Sequence, residues 1–117
     1  MGDFIKAAEI SDLSDGALKK VIVNGIEILL ARVHGQVYAT DPLCPHLLAD
    51  LSEGTLQGTI LTCPLHNSQF DVRDGHVVRW TGLSGVVLRY AIKARPPRPL
   101  KCYPVRIEGE NVLVGLP

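Results

Sequence analysis

The sequence predicts an all-β fold, an antiparallel sandwich or barrel formed as a single domain, and three observations carry that prediction. Short apolar runs recur along the chain, and Gly, Asn-Gly and Pro punctuate them as turn and stop signals. The chain has 117 residues, which suits one domain that buries roughly two-thirds of the surface exposed by its unfolded form. Hydrophobic residues make up 46% and aromatic residues 5%, a globular composition.

In chain order, residues 4–8 form the first expected strand and 12–16 a polar turn ending in Asp15-Gly16. Residues 17–23 and 26–33 flank Asn24-Gly25. That dipeptide is the strongest two-residue hairpin signal, because both central positions of a type I′ turn need φ > 0. A second hairpin over His34-Gly35 brings in residues 36–40, and His34 reads as a solvated turn residue rather than a ligand. Asp41-Pro42 halts that strand, since Pro restricts its predecessor and donates no ladder hydrogen bond. Residues 47–50 are expected to make one helical turn, and Gly54 and Gly58 to bracket a turn before a strand over 59–62. Residues 68–72 lead into the Asp74-Gly75 turn, after which His76 has no partner spacing and reads as structural or exposed.

Residues 76–100 leave two readings open. Trp80, Leu83, Val87, Tyr90 and Ala94 recur at near-helical spacing, with Ser84 as an N-cap and Pro96-Pro97 as the stop. Val86, Leu88, Tyr90 and Ile92 alternate as a strand does. We expect a short helix or an irregular excursion, basic and solvated, with its own small apolar anchor. The run Pro96-Pro97-Arg98-Pro99 is stiff and extended, and residues 101–108 and 111–116 close the fold as a hairpin across Gly109-Glu110. Cys102 in that hairpin reads as a small buried hydrophobe.

Composition excludes several function classes. No apolar run approaches the eighteen residues of a membrane span, and the first residues carry neither an apolar signal region nor, with Lys6, a myristoylation motif. The expected location is cytoplasmic. Three Cys cannot build a disulfide framework and agree with a reducing compartment. Net charge is zero, which gives no general attraction to nucleic acid. The zero conceals an asymmetry: residues 1–71 hold nine acidic and four basic groups, residues 72–117 three and eight, and from Arg79 to Lys101 six basic groups stand with no acidic one.

The most specific chemistry lies between residues 44 and 66, where Cys44-Pro45-His46 precedes Cys63-Pro64-Leu65-His66 with sixteen residues between the two motifs. Thiolate and imidazole both bind transition metals of borderline softness, so two short clusters with one of each argue for a metal centre. A zinc knuckle takes four donors on one ion, usually from like pairs at short spacing, and neither cluster has two donors of one kind. Zinc in the same ligands remains an alternative as a misincorporated metal. If the two thiolates take one iron and the two imidazoles another, the site is a [2Fe–2S] cluster with asymmetric ligation.

Cys-x-His, sixteen residues, then Cys-x-x-His resembles the Rieske signature, and Leu51-Ser52-Glu53-Gly54 and Phe70-Asp71 also resemble small bacterial Rieske ferredoxins. The resemblance implies one Rieske-like domain over 1–117, with residues 41–71 as a cluster-binding subdomain and a Pro-rich loop covering its flank. Residues 76–100 stand out as an insertion, because the familiar dioxygenase ferredoxins have a shorter link there. Cys44, His46, Cys63 and His66 would be the ligands, with Pro45, Pro64, Leu65, Ser68 and Phe70 around them. The added electron should settle on the iron held by His46 and His66, since neutral imidazoles stabilise the ferric state less than thiolates do. Respiratory Rieske proteins carry an extra Cys in each loop, and the matching positions here are Ala49 and Leu65. They also place a Ser and a Tyr as donors to sulfur; Ser68 matches the first, while Phe70 has no hydroxyl.

The implied function is a ferredoxin without a catalytic site, which moves one electron from a flavoprotein reductase to a terminal oxygenase and acts as a monomer. Alternatives are a redox-sensing or structural metal-binding domain, or the small subunit of a nitrite reductase. Partners are expected at the His tip, through an apolar collar of Leu47, Leu48 and Leu65, with Arg89, Lys93 and Arg95 setting approach and orientation.

Overall fold

In the computed structural model, which describes residues 3–45, 48–64, 67–80 and 97–116, the chain folds into three antiparallel sheets. The strands are β1 (Phe4–Glu9), β2 (Leu18–Val23), β3 (Ile26–Val33), β4 (Gln36–Thr40), β5 (Thr55–Gln57), β6 (Ile60–Thr62), β7 (Gln69–Asp71), β8 (Val77–Arg79), β9 (Cys102–Tyr103), β10 (Val105–Glu108) and β11 (Asn111–Gly115). They pair in the orders β1-β11-β10, β2-β3-β4-β9 and β5-β6-β7-β8. Among the described residues the helical pieces are two 3-10 turns, Ile10–Asp12 and Leu51–Glu53, and no helix is long and apolar enough to cross a membrane.

Both expected hairpins form for the expected reason. Asn24 and Gly25 sit at φ 51 and 79, His34 and Gly35 at 49 and 81, as a type I′ turn requires. Pairing then starts directly at Val23↔Ile26 and Val33↔Gln36. His34 is exposed, and His76 lies exposed beside Asp74, its ring nitrogen 2.6 Å from the carboxylate.

β3 joins the two halves of the molecule. Its Ile28-Leu29-Leu30-Ala31 run is apolar without alternation, and each of the four is at most 1% exposed. Successive strand side chains face opposite sides, so a strand covered on both faces reads as a continuous apolar run. Ile28 and Leu30 enter one core with Val37, Ala39, Val112 and Val114, formed between the first two sheets. Leu29 and Ala31 enter a second core with Leu51, Leu61, Phe70 and Trp80, formed against the third sheet. Burying each such Leu or Ile contributes about 1.5–3 kcal/mol, so β3 holds the two halves together by packing.

Four expectations change. The helical turn expected at 47–50 lies directly after that range, over Leu51–Glu53, because Asp50 is its N-cap and accepts from the Ser52 amide at 3.0 Å, while Leu48 is left-handed at φ 59. The turn expected between Gly54 and Gly58 contains strand β5, paired with β6. A side chain at position 54 would run into the Thr62 carbonyl, so Gly54 lets the strands approach. The long strand expected over 101–108 is split at Pro104, which has no amide to donate: β9 pairs with β4, and β10 with β11. The stretch 76–100 begins as strand β8, paired with β7, so the third sheet continues past residue 71. Trp80 is 4% exposed in the second core rather than one face of a helix, and residues 81–96, with the choice between helix and strand, lie outside the described residues.

Candidate metal centre

Cys44 and Cys63 open two loops of the same build. The Cys44 amide donates to the Ala49 carbonyl at 2.8 Å, and the Cys63 amide to the Ser68 carbonyl at 2.7 Å, so each loop is closed from its Cys onto the residue five places later. Pro follows the Cys in both, fixing φ and removing a donor. Counting the Cys as the first place, the fifth place of both holds a non-glycine residue in the left-handed region, Leu48 at φ 59 and Asn67 at φ 57. The two cysteines are 1% and 2% exposed and belong to the second core.

The loops are rooted differently. The first stands on an isolated bridge, Leu43↔Asp50, and on backbone bonds from Asp41 to Lys101 at 2.9 Å and from Leu51 to Pro42 at 2.8 Å. Asp50 also accepts from Lys20 at 2.7 Å, tying the loop to β2. Hydrogen bonds from Lys20 and then Ser52 hold its carboxyl well below the usual range, at about 2. The second loop caps the β6–β7 hairpin, where Thr62 pairs with Gln69. Beneath it Phe70, 0% exposed, meets Trp80 edge to face at 6.4 Å between ring centroids.

Among the residues expected at the site, Cys44 and Cys63 share one core, Phe70 lies under the second loop, Pro45 is half-buried and Pro64 exposed. Ser68 is buried, and its hydroxyl donates to the carbonyl of Trp80. Leu48 is 64% exposed. His46, Leu47, Leu65, His66, Arg89, Lys93 and Arg95 lie outside the described residues. Cys102 is half-buried rather than fully buried, its thiol 3.7 Å from the Val72 and Leu100 carbonyls, and burial pushes it up to about 11.

Sequence reasoning missed Arg79 and Arg98 as neighbours of the loops. Arg79 donates from Nε to the Asn67 carbonyl at 3.1 Å, and Arg98 from a terminal nitrogen to the Pro45 carbonyl at 3.0 Å. The signal for Arg98 is its place between Pro97 and Pro99, which stiffen its backbone. The arm is anchored by Leu100, 2% exposed, whose amide donates to Gly75 at 2.8 Å. Gly75 sits at φ 81, and any side chain there would collide with the Leu100 carbonyl.

The donor chemistry fits a thiolate-bound cluster. Two cysteines stand at the same place of two equally closed loops, shielded from water, where a coordinated thiolate keeps its negative charge partnered by metal. The Rieske [2Fe-2S] domain matches residues 3–104, and the chain belongs to that family, whose prosthetic group is a Rieske-type [2Fe–2S] cluster. Within the family it is similar to the ferredoxin components of dioxygenase systems. The ferredoxin component of the naphthalene 1,2-dioxygenase system of Pseudomonas aeruginosa is 36% identical over 113 residues, covering 97% of this chain and 95% of the relative. A ferredoxin of Sphingomonas yanoikuyae B1 superposes with a TM-score of 0.77 at 28% identity, over 98% of this chain and all of the other. A chain from the complex of oxygenase and ferredoxin in carbazole 1,9a-dioxygenase superposes with a TM-score of 0.75 at 29% identity, over 96% of this chain and 92% of its own.

Proposed function

We propose that this protein carries one electron at a time from a flavoprotein reductase to a terminal oxygenase that hydroxylates aromatic or related rings. The observation that carries the proposal is the matched pair of loops, each presenting a buried Cys from the same closed turn. The cluster supplies a reversible one-electron couple. Cys44 and Cys63 supply thiolates from the core side, and His46 and His66 supply imidazoles. Two Cys and two His leave no open position for a substrate, in keeping with a carrier that has no catalysis of its own.

The second core shields both cysteines from water, so the metal they would hold is the partner of their charge. Phe70 offers no hydroxyl to a sulfur, so one side-chain hydrogen bond that would favour the reduced, more negative form of the cluster is missing. The midpoint potential then belongs near the low end of the Rieske range, at about −150 mV. Partners reach the imidazoles across an apolar collar of Leu47, Leu48 and Leu65, a small contact that suits a brief encounter. Arg89, Lys93 and Arg95 speed association at low salt. The chain works in the cytoplasm as a monomer and as one domain.

Protein purified in air is expected to be red-brown, with about two irons and two sulfides per chain. It should be reduced rapidly in stopped flow by a flavoprotein reductase such as that of a naphthalene dioxygenase system. Iron near zero with zinc near one, in protein from its native host, refutes the proposal. Iron present but reduction far slower than turnover favours a redox sensor.

A further inference from the structure

Arg79 and Arg98 stand in the same relation to the two loops, although one leaves strand β8 and the other the Pro-rich arm. Each guanidinium donates to an outward backbone carbonyl of a loop: Arg79 to Asn67 at 3.1 Å in the loop of Cys63, Arg98 to Pro45 at 3.0 Å in the loop of Cys44. Pro45 directly follows one Cys, and Asn67 directly follows His66. The backbone carrying each arginine is itself held. Arg79 ends β8, which is paired to β7 through Gln69. Arg98 lies between two prolines, two residues before the buried Leu100.

Both guanidiniums are exposed, and among the described residues neither is in an ion pair. Asp41 lines the same cleft as Arg98 but forms no ion pair with it, its carboxylate accepting instead from the Tyr103 hydroxyl at 2.6 Å. Water reaches Arg98 through an open cleft of about 440 Å³ lined by Leu43, Pro45, Leu48 and Pro99, so its field at the loop is screened by salt. A trans peptide whose carbonyl is held outward turns its own amide the other way, which for the Asn67–Ser68 peptide is away from Arg79.

We propose that Arg79 and Arg98 are paired positioning residues that clamp the two loops from outside and, by positive charge held in no ion pair, raise the reduction potential of the site. The proposal rests on the reading that these loops hold the cluster. A positive charge fixed near a redox centre favours the form with one more electron, and two fixed charges act in the same direction. They thus oppose the lowering expected from the missing hydroxyl at Phe70.

The test uses the purified full chain carrying its cluster, with Arg79→Gln, Arg98→Gln, the double variant and both Arg→Lys variants. Two readouts are taken: the rate of iron release to EDTA, and the midpoint potential at about 10 mM and about 1 M salt, where the screening length is roughly 30 and 3 Å. The double Gln variant is expected to release iron at least threefold faster. At low salt the equilibrium constant for reduction should fall about two- to threefold per arginine, which is about 20–30 mV each for one electron. The shift should shrink at high salt, and Lys should restore the potential because it keeps the charge. A double Gln variant with the wild-type potential at low salt overturns the proposal, as does a lowered potential that Lys fails to restore. If the double variant fails to fold, the single variants are judged by the same criteria. A wild-type protein without iron refutes the cluster reading itself, and the iron assay shows this before any variant is compared.

Discussion

The loop opened by Cys44 and the loop opened by Cys63 have the same closure, yet a different balance of interactions maintains it. Both join the Cys amide to the carbonyl five residues later, and both turn through a left-handed residue in the fifth place. The second loop sits on a regular hairpin with Phe70 and Trp80 packed under it. The first stands on one isolated bridge and, beside the burial of Cys44 and Leu51, carries more polar ties: Lys20 to Asp50, Ser52 to Asp50, Arg98 to Pro45, against Arg79 to Asn67 in the second. One geometry can thus be enforced by apolar burial, which salt and acid leave intact, or by charge and hydrogen bonds, which they weaken. The first loop should be the one that opens first.

The strongest effect treats the loops alike. Cys44→Ser and Cys63→Ser should each abolish iron binding, since a serine hydroxyl does not replace a thiolate as a soft donor. An iron and sulfide assay with visible absorption checks this. Near-normal iron in either variant would remove that Cys from the ligand set and break the equivalence of the loops.

The next effect separates them. Phe70→Ala should cost about 3–5 kcal/mol in denaturant unfolding, the usual penalty for emptying an aromatic core position. Asp50→Ala, which removes an N-cap and an exposed ion pair, should cost only about 1 kcal/mol. Equal losses would mean that the polar ties are as strong as the packing.

Acid should then act on the first loop selectively. The Asp50 carboxyl lies at about 2 in the folded chain against an ordinary 3.8. Its pKa is depressed, so its stabilisation is complete above the ordinary value and is lost as pH falls from there through about 2. Asp71, held at about 2 by Arg73, loses its contribution over the same window. The share of the first loop is therefore the difference in pH dependence between wild type and Asp50→Asn, followed by unfolding between pH 5 and 2. No difference would show that the tie to Lys20 contributes nothing.

The weakest effect concerns the fifth place. A leucine in the left-handed region is strained, whereas asparagine adopts it readily. Leu48→Asn should stabilise the chain by about 0.5–1 kcal/mol, because Leu48 is 64% exposed and loses little burial. Asn67→Leu should destabilise by a similar amount. If Leu48→Asn destabilises, the leucine is held by contacts that outweigh its strain.

Local features are legible in the residues themselves. The hairpins at Asn24-Gly25 and His34-Gly35 follow from the backbone angles that two adjacent residues must adopt, a constraint only a few residue types meet. The Cys and His spacing points to a metal centre because donor chemistry is written in residue type. Strand β5 is hidden from such a reading, since its role depends on Gly54 letting β6 come close, a contact that no local pattern reveals. Trp80 suggests one face of a helix, because periodicity describes a segment and not what covers it.

The turns, the antiparallel class and the candidate metal donors thus follow from the chain alone, since all of them rest on single residues or their immediate neighbours. Folding in three dimensions adds that β3 is buried on both faces and that Pro104 divides one expected strand between two sheets. It also brings Arg98 across to the Pro45 carbonyl. Each of these depends on where distant segments meet, which is set by the packing of two cores on one strand rather than by the residues beside it in the chain.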